Sequence, residues 1–351
     1  MKHILHSAAL GFCIAASTVI AEGQHIETGL APITVADDRA DRPLDGFVWY
    51  PTAQLDGAET HHGNSVWKGI TAVADAEPLS GKRPLVVLSH GMYGNAMNQS
   101  WLADGLVDAG FIVAAISHPG TSTWKRDPDH ARMLWERPRD ISRLIDHMLH
   151  DPALAAQVDA DRIFMAGHSL GGFTAVALAG GRFDAAAYRA KCDSNVGELV
   201  CGIFDRWNVA QTPQDIAKME QDLSDPRIKG FAVFDLGGTQ SFSDASLRAI
   251  DRPMLVFGAP RQISGLDLDL ESRALVAALP EQKARYLEPE SLSHFDFLGL
   301  CNPGSVEILK QEEPGDEIIC IEGGEERIAD HAAILEAVID SFTSAAPVLQ
   351  N

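Results

Sequence analysis

The sequence predicts an α/β protein with a mostly parallel central sheet flanked by helices. Apolar runs without alternation, typical of strands buried on both faces, recur along the chain with helical patterns between them. This order favours βαβ units and therefore a parallel sheet. One run, 163–166, leads directly into a Gly-x-Ser-x-Gly turn at 167–171, and a small-residue helical segment follows at 173–180. Such a turn lifts a serine hydroxyl above the sheet, which makes Ser169 the first candidate functional residue.

The strands are predicted in chain order. Two short strands, 33–35 and 44–50, come first, and the polar, glycine-containing segment 54–81 is expected to be a surface excursion. Six apolar runs then predict the buried strands 84–89, 111–116, 163–166, 230–234, 254–257 and 284–287.

Helices are predicted between these strands. One lies around Leu102, Leu106 and Val107, and another begins near Pro138, where apolar residues return at helical spacing. A third follows the turn at Ser169, and a closing helix covers 327–342.

The segment 182–225 interrupts this alternation of strands and helices. It carries two cysteines, Trp207 and Met219 between the helix after Ser169 and the next strand. We interpret it as a small lid inserted over the site, with a plain structural excursion as the alternative. The acidic stretch 311–326 is expected to be a solvated, disulfide-tied loop.

The first 21 residues are predicted to be a secretory signal peptide. Lys2 precedes the apolar segment 4–20, and cleavage is expected after Ala21. A retained membrane anchor is the alternative, although the run is short for a spanning helix. We therefore predict a secreted or periplasmic protein with one domain over 22–351 and no stable membrane insertion.

Four cysteines remain after the predicted cleavage, and an even number in an exported protein indicates two disulfides. Three pairings are possible. We favour Cys192–Cys201 and Cys301–Cys320, because each pair would tie together a local insertion.

The chain is acidic, with 28 Lys and Arg against 49 Asp and Glu and a net charge of −21. This balance argues against nucleic acid or an anionic membrane as a partner. No metal is expected, because His61 and His62 lack Cys, Asp or Glu ligands at metal spacing. The carboxylates of 311–326 also lack the spacing of a calcium loop.

A serine hydroxyl is a weak nucleophile at neutral pH and needs a base, which in turn needs an orienting carboxylate. In the chain order that accompanies this turn, both follow the serine. The only histidines after Ser169 in the sequence are His294 and His331. His294 lies between the last predicted strand and the closing helix, whereas His331 lies inside that helix, so we predict His294 as the base.

The acid has three candidates. Asp235 ends the strand 230–234, at the carboxyl edge where parallel sheets carry catalytic groups. Asp267 and Asp269 follow the next strand, but Asp267 comes nine positions after Gly258. We favour Asp235 and keep the other two as alternatives.

Two backbone N–H groups are needed to stabilise the developing oxyanion. Leu170, directly after the serine, would supply one, and Met92, in the loop after strand 84–89, the other. His90 in the same loop is expected to fix the loop rather than act as a base. His118, at the end of another predicted strand, is a candidate for lining the pocket.

Six segments carry a family resemblance: 44–52, 89–91, 116–120, 137–141, 167–172 and 294–297. They resemble the predicted dienelactone-hydrolase-like and platelet-activating-factor-acetylhydrolase-like group of α/β hydrolases, over nearly all of the chain after the signal peptide. The resemblance implies an α/β-hydrolase fold. It also supports Asp235 as the acid and Met92 as an oxyanion donor.

Two features depart from that group. Dienelactone hydrolases use a cysteine nucleophile where this chain has Ser169, so their activity is not implied. The cysteine-bearing insertion also differs from the acetylhydrolase pattern.

The predicted function is hydrolysis of small-molecule or lipid-like carboxylic esters through an acyl-enzyme, with no cofactor. An amidase or peptidase with the same triad is one alternative. A non-catalytic secreted binding protein on this fold is the other. The acyl-chain length, activity on a polymer and the oligomeric state are not indicated.

Overall fold

The computed structural model describes residues 26–37, 42–261, 263–321 and 325–345. A ten-stranded sheet runs through this part of the chain. The predicted signal peptide, 1–21, lies outside the described residues and stays a prediction.

The strands are bounded as follows: β1 (Glu27–Val35), β2 (Leu44–Thr52), β3 (Ala58–His61), β4 (Ile70–Ala74), β5 (Arg83–Ser89), β6 (Ile112–Ile116), β7 (Val158–His168), β8 (Ile228–Phe234), β9 (Met254–Phe257) and β10 (Ala284–Leu287). The α-helices are α1 (Ser100–Asp108), α2 (Pro128–Ala131), α3 (Glu136–His150), α4 (Leu170–Ala179), α5 (Ala185–Ser194), α6 (Leu199–Arg206), α7 (Pro213–Met219), α8 (Asp244–Arg248), α9 (Ser272–Ala278), α10 (Ser305–Glu312), α11 (Ile318–Ile321) and α12 (Glu325–Ala345). Short 3-10 turns lie at Thr239–Ser241, Glu281–Lys283 and His294–Phe297.

The strand order across the sheet is β10-β9-β8-β7-β5-β6-β2-β1-β4-β3. All neighbouring pairs from β5 to β10 are parallel. β2 pairs antiparallel with β6 and with β1, and β3 pairs antiparallel with β4. The prediction of a mostly parallel α/β sheet is therefore confirmed.

Helices cover both faces of the sheet, which is why the parallel strands are continuous apolar runs. On one face, α3 and α4 pack against the sheet through side chains such as Leu144 and Val176. On the other face, α1 and α12 do so through side chains such as Leu106 and Val338. Each side chain named is completely buried.

The N-terminal part of the sheet differs from the prediction. β1 begins at Glu27, six residues earlier than expected, and the predicted excursion 54–81 contains β3 and β4. Gly29 and Pro32 interrupt the apolar pattern of β1, and the side chains of β3 are mostly exposed. These strands are stabilised by pairing with neighbouring strands towards one edge of the sheet. Their own residue patterns do not predict that pairing.

The insertion 182–225 contains the helices α5, α6 and α7. The structure contains the two disulfides that the sequence analysis favours: Cys192–Cys201, with a Cα–Cα distance of 5.7 Å, and Cys301–Cys320, at 5.9 Å. The stretch 311–326 is less of a loop than predicted, because α10 continues to Glu312, α11 lies within the stretch, and α12 begins at Glu325. Residues 311–316 are exposed, as predicted.

Two glycines allow α4 to pack closely against the sheet. An ideal Cβ on Gly167 would lie 2.1 Å from the carbonyl oxygen of Gly171. A Cβ on Gly171 would lie 1.9 Å from the carbonyl oxygen of Ser89, at the end of β5. Both distances are far below van der Waals contact with backbone that cannot swing away, so only glycine fits at either position.

Glu271 ties the loop after β8 to the N-terminus of α9. One of its carboxyl oxygens accepts the backbone N–H groups of Gly238, at 2.8 Å, and Thr239, at 2.7 Å. The side chain is buried, and burial raises the pKa of this carboxyl to about 8, even though the two N–H donors favour the charged form.

Substituting Gly171→Ala should lower the free energy of unfolding by about 3 kcal/mol or more, because the new methyl group must displace the backbone of Ser89. Gly202→Ala is a matched control inside α6, where the nearest neighbour to a Cβ is the mobile end of Arg206, at 3.5 Å. That control should be neutral or stabilising by up to about 1 kcal/mol. Urea denaturation of both variants checks the contrast. Equal losses would mean that the α4 contact has no special constraint.

The raised pKa of Glu271 predicts a pH-dependent stability. The folded state holds this proton up to about pH 8, whereas the unfolded chain releases it near the ordinary glutamate pKa of 4.5. The favourable contribution is thus complete below 4.5 and is lost as the pH rises through 8. Glu271→Gln, which cannot ionise, should gain stability relative to the parent between pH 5 and pH 9. The gain has an upper limit of about 5 kcal/mol, at about 1.4 kcal/mol per pKa unit. Denaturation at both pH values measures the difference, and a constant difference would contradict the prediction.

Candidate active site

The predicted site residues meet at one edge of the sheet, the carboxyl end of the parallel strands. Ser169 directly follows β7, and Asp235 directly follows β8. The loop containing Met92 follows β5, and His294 begins the 3-10 turn after β10. In open α/β sheets, ligands bind at this edge.

Ser169 occupies a constrained backbone position between β7 and α4. Its φ of 55° and ψ of −118° are rarely adopted by residues with a side chain. Its backbone N–H donates to the carbonyl of Phe234, at 2.9 Å, and the carbonyl of Ser169 accepts from Gly172 and Phe173 in α4. These bonds hold the serine in the sharp turn that the sequence predicts.

His294 is hydrogen-bonded to Asp235. The distance between His294 Nδ1 and Asp235 Oδ2 is 2.7 Å, and both side chains are buried. A carboxylate at Nδ1 accepts a hydrogen bond from the N–H there, which keeps the proton on Nδ1 and leaves Nε2 as the acceptor of the ring. The other oxygen, Asp235 Oδ1, accepts the N–H of Ala259 at 3.0 Å, and the φ of Asp235 is 40°. The carboxylate is therefore fixed at both oxygens.

The alternative acids lie elsewhere. Asp267 and Asp269 are exposed, and Asp267 Oδ1 accepts the backbone N–H of Asp269 at 2.9 Å. Asp269 pairs with Arg273 at 2.8 Å. Of the three candidates, Asp235 is the one that the structure places against His294.

A buried ion pair supports the turn that carries His294. Asp296 Oδ2 accepts both the N–H and the hydroxyl of Ser293, each at 2.7 Å. Its Oδ1 accepts from Arg327 Nε, at 2.9 Å. His331 Nε2 donates to the carbonyls of Asp296 and Leu298, at 2.9 and 3.0 Å.

His331 has a packing role, as its position in the closing helix predicts. Its ring stacks on Trp101 with a centroid distance of 3.6 Å, and burial lowers the pKa of this imidazole to about 4.

The predicted oxyanion donors border the same cavity as Ser169 and His294. Within the described part of the chain, neither the N–H of Leu170 nor that of Met92 is hydrogen-bonded to a protein acceptor. Gly91, which precedes Met92, lies over the serine: a Cβ there would be 3.1 Å from Ser169 Cβ. Two amide groups without protein acceptors therefore belong to residues that line the same cavity as Ser169.

His118 does not line the cavity, contrary to its candidate role in the sequence analysis. It is completely buried, with Nδ1 2.9 Å from Asp140 Oδ2 and Nε2 3.0 Å from Ser89 Oγ. Asp140 also accepts two hydrogen bonds from Arg42, at 2.8 and 2.7 Å. The ring thus belongs to a network inside the protein, behind the loop of Met92.

The cavity has a volume of about 500 Å³ and three walls besides the sheet edge. The insertion 182–225 supplies one of them through Leu199, Val200, Ile203, Phe204 and Trp207. The loop between β3 and β4 contributes His62 and residues 64–68, and the disulfide-tied segment contributes Leu309, Glu313, Asp316 and Ile319. Sequence reasoning missed the second and third walls, which have no local signature because distant segments build them.

Within the described ranges, no group of three or more His, Cys, Asp or Glu side chains could hold a metal ion. His62 packs edge-on against Phe47 and Trp49, with centroid distances of 4.6 and 5.6 Å. No helix in the part of the chain that the structure describes is long and apolar enough to cross a membrane.

Comparisons with known proteins agree with this architecture. Residues 80–194 match the family model described as serine aminopeptidase, S33. The cutinase est2 of Thermobifida alba is 33% identical over 166 residues, which are 45% of this chain and 44% of that cutinase. Cutinase 2 of Thermobifida cellulosilytica is 31% identical over 101 residues, 28% of this chain and 35% of that protein. The chain thus spans less than half the length of these curated relatives.

A solved structure is similar over nearly the whole length. The ferulic acid esterase from Streptomyces cinnamoneus has a TM-score of 0.60 and 20% sequence identity, and the match covers 95% of each chain. At this identity, the likeness concerns the fold. The sheet order, the turn at Ser169 and these matches together show that the chain has the α/β-hydrolase fold.

Proposed function

We propose that this protein is a serine hydrolase that cleaves carboxylic esters, with Ser169 as nucleophile, His294 as base and Asp235 as orienting acid. The observation that carries the proposal is the buried Asp235–His294 hydrogen bond of 2.7 Å, beside a cavity that Ser169 also lines. A base oriented by a carboxylate near a serine on a sharp turn is the arrangement that activates a hydroxyl.

The chemistry proceeds in two steps. Ser169 Oγ attacks the ester carbonyl carbon, and its proton passes to His294 Nε2. The N–H groups of Leu170 and Met92 stabilise the oxyanion, the bond to the alcohol oxygen breaks, and the alcohol leaves with the proton from His294. His294 then takes a proton from water as the water oxygen attacks the acyl carbon. The bond between Ser169 Oγ and that carbon breaks, and His294 returns the proton to Oγ, which releases the acid and restores the Ser169 hydroxyl.

The substrate class is supported by the character of the cavity and by the relatives. Aliphatic and aromatic side chains form much of its lining, which suits small-molecule or lipid-like esters. The similar proteins are named as cutinases and a ferulic acid esterase, all of which cleave esters. The helices of 182–225 act as a lid in this proposal, with Trp207 bordering the substrate.

The two disulfides fit a protein exported to an oxidising compartment, secreted or periplasmic. The finer relationship, to the dienelactone-hydrolase-like and platelet-activating-factor-acetylhydrolase-like group, stays a prediction from sequence motifs.

Substitution of the three aspartates tests the triad. Asp235→Asn should lower kcat for a p-nitrophenyl ester by about 10³- to 10⁴-fold, because the amide can no longer hold the reactive tautomer of His294. The matched controls, Asp267→Asn and Asp269→Asn, should stay within about threefold of the parent, since these side chains are exposed and have partners other than His294. Steady-state kinetics on all three variants measures this. A large loss in either control with an active Asp235→Asn variant would contradict the assignment.

A further inference from the structure

The proposed oxyanion donor, Met92, lies in a loop that begins with the buried side chain of His90. This imidazole is 3% exposed and lies behind the loop, beside the ring of His118, with a centroid distance of 5.1 Å. It does not border the cavity, so it cannot take a proton from Ser169 or from a substrate.

The hydrogen bonds of His90 fix its tautomer. His90 Nε2 accepts the backbone N–H of His118, at 2.9 Å, and therefore carries no proton. The proton must be on Nδ1, which lies 2.7 Å from the carbonyl oxygen of Gly91 and donates to it. Burial and the nearby charge of Arg137 hold the pKa of His90 well below its usual range, so the ring is neutral with one donor and one acceptor.

The carbonyl of Gly91 and the N–H of Met92 belong to the same peptide plane. Because a trans peptide is planar, its C=O and N–H point in opposite directions. The Gly91 oxygen faces His90 Nδ1 and also accepts the N–H of Gly94, at 3.2 Å. With the oxygen held on that side, the Met92 N–H is directed to the opposite side, towards the cavity that Gly91, Met92 and Ser169 line.

We propose that His90 is a positioning residue that directs the Met92 N–H at the oxyanion by holding the Gly91 carbonyl through Nδ1–H. The inference rests on the proposed esterase function. His90 contacts neither the substrate nor the reacting atoms, and it acts through the peptide plane alone.

A buried network holds His90 in place. The backbone N–H of His118 donates to His90, and the ring of His118 is fixed between Asp140 and Ser89. Arg137, completely enclosed, donates to the carbonyl oxygen of His90 and to Ser89 Oγ, the latter at 3.2 Å. Buried groups thus support the loop from the interior, and their hydrogen bonds hold the His90 ring in one orientation.

Two conservative variants separate the two hydrogen bonds of His90. The amide nitrogen of Asn lies where Nδ1 does, so His90→Asn keeps a donor to the Gly91 carbonyl and loses the acceptor for the His118 N–H. The amide oxygen of Gln reaches the position of Nε2, so His90→Gln keeps that acceptor and loses the donor to Gly91. Each variant removes one buried hydrogen bond, so we expect both to lower the free energy of unfolding by a similar amount.

Kinetics of p-nitrophenyl ester hydrolysis tests the proposal. His90→Gln should lower kcat by about 10- to 100-fold with KM within about threefold, because a misdirected N–H affects the transition state alone. His90→Asn should retain kcat within about fivefold of the parent. Thermal unfolding of both variants establishes that each is folded at the assay temperature. Equal losses of kcat, or a larger loss in His90→Asn, would overturn the inference.

A second measurement uses the unaltered protein and does not depend on how the variants fold. Nitrogen-15 NMR of histidine-labelled protein should show His90 as the neutral Nδ1–H tautomer at pH 7. A proton on Nε2 would overturn the inference.

If the parent protein hydrolyses no ester, the proposed function fails and this inference fails with it. If the parent is active and the two variants are alike, the inference alone fails.

Discussion

The contact between the start of α4 and the end of β5 is the constraint on which the candidate site depends. A Cβ on Gly171 would lie 1.9 Å from the Ser89 carbonyl oxygen, so glycine is required for the helix to approach the strand this closely. That approach places Ser169, at the head of α4, beside the loop that follows Ser89. Because the turn is sharp, Ser169 takes a φ of 55°, a strain that the surrounding sheet and helix offset. The proposed nucleophile and the proposed oxyanion donors are thus brought together by backbone packing.

Buried charges hold the two loops that face Ser169. The Arg42–Asp140 pair lies behind the loop of Met92, and the Arg327–Asp296 pair lies behind the turn of His294. Burial raises the pKa of Asp140, and its hydrogen bonds with Arg42 oppose that shift. Such pairs contribute little net stability, but breaking one costs about 3–5 kcal/mol because a charge is left without its partner. They therefore favour one loop geometry over its alternatives.

Local patterns predicted the parallel core, because strands covered on both faces are continuous apolar runs. They also predicted the turn at Ser169, where glycine spacing reflects a steric requirement. The partner of His294 was harder to choose: Asp235, Asp267 and Asp269 all follow strands, and only the packed sheet brings one of them to 2.7 Å from His294. The role of Asp140 could not be read from sequence, because its partner Arg42 is 98 residues away. β3 was missed because its side chains are mostly exposed.

Labelling the purified protein with a fluorophosphonate, and mapping the modified peptide by mass spectrometry, tests whether Ser169 is an activated nucleophile. The proposed mechanism predicts one stoichiometric adduct on Ser169, because the same hydroxyl that attacks an ester carbonyl would attack the phosphorus atom. A protein that is folded, retains both disulfides and forms no adduct at Ser169 would contradict it.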